Sequence, residues 1–217
     1  LVGQRIRLLG SEGDVVGVIG KKPIHLMKKE ERDEVSKLSD LWIDVGAANL
    51  EEVNKRGLRV GDCGVIDSSM VRLGDRLIAS RSIDDRIGAY VVLEAARRVA
   101  EASGSSAEVT AVATTQEEIG ASGARMSAHK VEPDVAIVVD VTFATDAPCI
   151  EKKQTGEHKL GSGPVLTRGS ASHAMVVDRL VEAAERKGIP YTLQASPRYT
   201  ATDADAIYLS RNGVATA

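Results

Sequence analysis

A change of rhythm near residue 80 constrains the fold of this chain more than any other feature of its sequence. Before that point short apolar or alternating runs follow one another, at 4–8 (QRIRL), 15–20 (VVGVIG), 41–45 (LWIDV) and 63–67 (CGVID). Glycines at 10, 13, 20, 46, 57, 61, 64 and 74 separate them at turn spacing. A period near two with glycine punctuation predicts strands. One short helix is expected at 49–56, with Asn49 placed to cap it and Gly57 just past its end. Residues 1–79 thus read as a small β-barrel or sandwich domain with little helix.

After residue 80, strands and helices alternate. Ile87, Tyr90, Val91, Leu93, Ala95 and Val99 form a helical stripe over 85–102. Residues 108–115 (EVTAVATT) read as a buried strand, and 134–139 (DVAIVV) as a second, apolar on both faces as in a covered parallel sheet. An amphipathic helix is expected at 172–187, ended by Gly188, then a strand at 191–194, a helix at 203–211 and a strand from 214. Residues 80–217 are therefore expected to form an α/β domain, a mixed sheet flanked by helices.

Composition narrows the function. Lys and Arg number 28 against 31 Asp and Glu, a net charge of −3, which lacks the basic footprint of a nucleic-acid binder. No apolar run reaches the roughly 18–20 residues needed to span a bilayer, and the first residues do not resemble a signal peptide. Cys63 and Cys149 lie outside any C-x-x-C pattern, so a reduced, cytoplasmic protein is expected, with Cys149 a buried structural thiol. The chain starts on Leu1, and 213–217 reads as a strand entered and then cut, so it is expected to be trimmed at both ends.

Three acidic sites stand out, because ligands of open α/β sheets bind beyond the carboxyl ends of strands. Glu117 and Glu118 follow the strand expected at 108–115, Asp140 ends that at 134–139, and Asp84 stands where the 85–102 helix begins. Singly, each has an ordinary explanation, as a helix cap or a solvated loop acid. Together, four carboxylates on one rim would repel one another and raise their own pKa values unless divalent cations compensated them.

The segments 82–88 (SIDDRIG), 115–120 (TQEEIG) and 139–142 (VDVT) occur in the order and spacing of the M42 family of metallo-aminopeptidases. Further similarity lies at 20–26 (GKKPIHL), 44–47 (DVGA), 160–164 (LGSGP), 189–191 (IPY) and 202–204 (TDA), so the chain resembles that family over nearly its whole length. The resemblance implies a zinc-peptidase-like catalytic domain into which the small β-domain is inserted. It also implies two divalent metal ions, zinc or cobalt, or manganese. Asp84 would bridge the ions, often with a cis peptide bond after it, and Glu118 and Asp140 would each bind one. Glu117 would be the general base, taking a proton from water held between ions about 3.5–4 Å apart. The substrate's free α-amine would bind one ion, giving removal of N-terminal residues from peptides.

The family also uses one histidine towards each end, and none of the four here occupies those positions. His25 reads as structural, His129 as following a short helix, His158 as part of a mobile loop near the site, and His173 as a cap or surface residue. Both histidine ligands are therefore expected in segments outside 1–217. Thr202, Asp203 and Ala204 resemble a motif near the substrate pocket, though Thr-Asp is also a common cap pair. Two rivals are an assembly or binding homologue without activity, and a glycoside hydrolase, whose paired carboxylates adjacent Glu117 and Glu118 would mimic poorly. The resemblance further implies peptide substrates, no nucleic-acid or membrane partner, and dimers associating into a dodecamer. Leu41, Trp42 and Ile43 are the expected apolar contact.

Overall fold

Side-chain shape decides the strands of the N-terminal part. The computed structural model describes residues 1–102 and 105–217, and these divide into two units, Leu1–Arg81 and Ser82–Ala217. In the first, β1 (Arg5–Gly10), β2 (Gly13–Lys21), β3 (Leu41–Asp44) and β4 (Gly64–Ile66) form an antiparallel sheet in the order β3-β2-β1-β4. A separate hairpin pairs β5 (Val71–Leu73) with β6 (Leu77–Ala79). The pleat is visible in β2, where Gly17 and Ile19 are buried while Val16 and Val18 stand exposed. Gly20 lies opposite Trp42 in the register, and a Cβ there would meet the indole Nε1 at 2.3 Å, so only glycine lets the ring lie across β2.

Between the strands lie the single turn α1 (Lys29–Arg32) and the helix α2 (Leu50–Lys55). The Asn49 side chain accepts from the Glu52 amide at 3.0 Å, the cap its position foretold, and Gly57 follows with φ +76°. Trp42 is 51 % and Ile43 39 % exposed, and Leu41 is partly covered.

In the second unit α3 (Ile83–Glu101), α4 (Ser122–Val131), α5 (Lys152–Thr155), α6 (Ala174–Lys187) and α7 (Ala204–Ile207) alternate with four short strands. β8 (Val165–Gly169) pairs in parallel with β9 (Thr192–Ser196), and β7 (Val135–Ala136) in parallel with β10 (Ala215–Thr216). The result is a mixed α/β fold, with α6 on β8 and α4 against α7. The strand expected at 134–139 enters a ladder only at β7, although Val138 N–H donates to the Ala217 carbonyl at 2.7 Å. Residues 108–114 join no ladder at all, and none of them is buried, Val109 being 52 % exposed: an apolar run supplies neither a partner strand nor a cover. The 203–211 helix shortens to α7.

Two side chains depart from expectation. Cys149 is exposed rather than buried, because it occupies a turn at φ +65°, and Cys63 is also exposed and free. His158 is buried, 3 % exposed, and its Nδ1 lies 2.7 Å from the Thr192 hydroxyl. Among the described residues no helix is long and apolar enough to cross a membrane.

Candidate active site

Three acidic loops of the second unit, though not that of Asp140, are bent by a residue that seldom takes such a backbone. Ser82, Gln116 and Ala201 lie in the left-handed region at φ +57°, +63° and +58°, within two residues of Asp84, Glu117 and Asp203. Non-glycine residues pay for that conformation in steric strain, and such residues concentrate at functional sites. The bends carry the acids to one cavity of about 560 Å³. Asp84, Asp85, Glu117, Glu118, Asp140 and Asp203 line it, with Val92, Val112, Ala113 and Val138 among its apolar walls.

At Asp84-Asp85 two neighbouring acids take different tasks. The peptide bond between them is cis, and both depart from helical φ/ψ, so the regular part of α3 begins after Asp85. The Asp85 carboxylate accepts from the Gly88 amide at 2.9 Å and is the helix cap. Asp84 is thereby left to the cavity. Glu117 and Glu118 open a 3-10 turn over Glu117–Ile119, and the Gly123 amide holds the loop by donating to the Thr115 carbonyl at 3.0 Å. Asp140 accepts from its neighbour's amide, Val141, at 2.7 Å.

Crowding leaves an electrostatic signature. Burial, and then the charges of Asp140, Asp203, Glu118 and Asp84, push the Glu117 carboxyl above the usual glutamate range. Burial raises Asp140 likewise, helped by Asp85, Asp84 and Asp203 and opposed by the Val141 amide. Asp85 is raised by burial and by Asp84 and Asp203, against the Gly88 hydrogen bond.

The cavity unites the four acids expected from sequence, and it adds Asp85 and Asp203. Asp85 was hidden as the twin of Asp84, although a glycine three residues on signals a tight cap. Asp203 was legible only as part of a helix-start pair; its oxygen Oδ2 accepts from the Thr114 hydroxyl, 89 residues away, which no local pattern reveals. The histidines stand apart: among the described residues, no three His, Cys, Asp or Glu side chains gather closely enough to hold one ion. The carboxylates lining the cavity are donors of the type that suits a divalent cation.

A sequence model of the M42 glutamyl aminopeptidase family matches residues 1–217. The lysyl aminopeptidase of Pyrococcus furiosus is 37 % identical, over 100 % of this chain and 61 % of its own length. A putative aminopeptidase of Acetivibrio thermocellus is 33 % identical over 98 % of this chain and 60 % of its own. The chain thus spans about three fifths of the length of these relatives. Among solved structures, the TET aminopeptidase of a marine-sediment thaumarchaeon superposes with a TM-score of 0.85 at 33 % identity, covering 100 % of this chain and 61 % of that one. A dodecameric Pyrococcus horikoshii TET1 structure superposes at 0.74 with 26 % identity, over the same shares of the two chains. With a family match along its whole length and acids gathered in one cavity, the chain belongs to the M42 glutamyl aminopeptidase family.

Proposed function

We propose that the full-length protein is a metal-dependent aminopeptidase that removes N-terminal residues from peptides. The observation that carries this reading is the meeting of Asp84, Glu117, Glu118 and Asp140 in one cavity of a chain of this family. Asp84 would bridge two divalent ions, zinc, cobalt or manganese, with Glu118 on one and Asp140 on the other; further donors complete each set. When bound, such ions acidify a water and polarise the scissile carbonyl. The chain's own part of the reaction falls to Glu117. Burial and the neighbouring carboxylates hold its carboxyl above the ordinary range, the direction that favours a base which must accept the attacking water's proton and then release it to the leaving amine.

The first unit would be an inserted domain serving assembly. Its exposed Val16, Val18 and Trp42 offer an apolar surface, and the Pyrococcus horikoshii TET1 peptidase can form a tetrahedron or an octahedral shell.

Glu117→Gln in the full-length protein should retain metal and lose about 10²–10⁴-fold in kcat on aminoacyl-p-nitroanilides. Glu118→Gln should lose metal as well as activity. Metal analysis beside kinetics distinguishes the two, and equal metal loss in both would end the division of labour. Cleavage of N-acetylated peptides as readily as free ones would end the aminopeptidase reading.

A further inference from the structure

Among the described residues Asp203 is the one buried acid, 7 % exposed. One of its oxygens, Oδ2, takes the Thr114 hydroxyl; the other, Oδ1, is closed off from solvent and has no hydrogen-bond partner. A buried acceptor left without a donor is costly, and the charges of Glu117, Asp140 and Asp85 repel it further. Asparagine at this place would keep the acceptor for Thr114 and remove the charge.

The surroundings show why the place itself matters. Asp203 is held from its own side by a closed network. Asp205 accepts from the Thr200 amide at 2.8 Å and hydroxyl at 2.9 Å with one oxygen, and from the Ala201 amide at 2.8 Å with the other. The Thr200 and Thr202 hydroxyls bond at 2.9 Å. On the far side Thr114 stands three residues before Glu117, on a segment that no strand ladder holds. Gly123 grips Thr115 from below, where a Cβ would strike the Thr115 carbonyl at 2.3 Å. Two fastenings, one on each of two adjacent residues, therefore fix the approach to the 3-10 turn.

We propose that Asp203 is a positioning residue: through Thr114 it sets the depth at which Glu117 and Glu118 enter the cavity. The catalytic part of this statement rests on the peptidase reading above, whereas the mechanical part does not. Removing the bond should let the turn drift, and a displacement near 1 Å at a reacting group costs on the order of 10²-fold in rate.

The test uses the full-length protein with Thr114→Val, Thr114→Ser, Asp203→Ala and Asp203→Asn. Hydrogen exchange of the 114–120 amides should quicken about ten-fold or more in Thr114→Val and Asp203→Ala relative to α6. It should return towards wild type in the serine and asparagine variants, which keep the bond. The kcat should follow the same pattern with KM changed less than about two-fold. If Asp203→Ala does not fold, Thr114→Val, which keeps the side-chain volume, carries the comparison. Unchanged exchange in Thr114→Val overturns the proposal, as does an Asp203→Asn variant as damaged as Asp203→Ala beside a normal Thr114→Val. An inactive wild type showing the exchange pattern would instead refute the peptidase reading and leave the role of Asp203 standing.

Discussion

Burial raises the carboxyl pKa of Asp140, and the consequence for stability has a definite sign. A carboxyl whose folded value lies above its unfolded one contributes stability that is complete below about pH 3.9 and lost as pH rises through the raised value. Asp140, Glu117 and Asp85 therefore oppose folding near neutrality when no cation is bound. Glu94 behaves oppositely, since hydrogen bonds from Arg97 and Arg98 hold it at about 2, and its contribution is lost only on strong acidification. Asp140→Asn in chelator-treated protein should raise stability by about 0.5–1 kcal/mol at pH 7, the usual size of such relief. The gain should fade by about pH 4. Urea midpoints at the two pH values decide it, because an equal gain at both would mean that charge is not the cause. Glu117 and Asp140 were legible in sequence because each follows an apolar run, although the structure lays 108–114 in no ladder and pairs only Val135–Ala136 of the second run. Between Asp84 and Asp85 the residue pattern alone could not choose, and only the family resemblance singled out Asp84; where helical dihedrals begin, which decides the cap, is visible in the structure alone.

Inside a helix, alanine normally stabilises relative to glycine by about 0.5–1 kcal/mol. For α3 the reverse is expected at Gly88. A Cβ there would meet the Asp85 carboxylate oxygens at 2.2 and 2.6 Å, so Gly88→Ala must expel the cap from its seat on the helix end. The substitution should cost about 1 kcal/mol, the worth of an N-cap, and denaturant midpoints would show it. A stabilised Gly88→Ala would mean that Asp85 does not cap α3. Elements were readable where their ends carry local chemistry. Asn49 and Gly57 bracket α2, and Gly188 ends α6 at φ +63°. They were unreadable where pairing is remote, since the run 108–115 has the composition of a core strand and joins no ladder. In the N-terminal part the expected barrel takes the form of a four-stranded sheet and a separate hairpin.

Over the whole molecule apolar exposure is broad. On the sheet of the first unit Val16, Val18 and Trp42 are 48 %, 45 % and 51 % exposed, and on α3 Ile87, Tyr90 and Leu93 are uncovered. Scattered apolar residues are ordinary, but neighbours on adjacent strands make a patch, and patches mark interaction sites. Trp42→Glu should shift full-length protein to smaller species in light scattering while leaving its far-ultraviolet circular dichroism unchanged. An unaltered mass would clear this face of the role. The composition of that face also sets how an assembly would answer to temperature. Attraction between apolar surfaces is driven near 25 °C by the entropy of released water, and it weakens on cooling. Contacts made by valines and an indole would then weaken on cooling, so an assembly held by this face would come apart more readily in the cold.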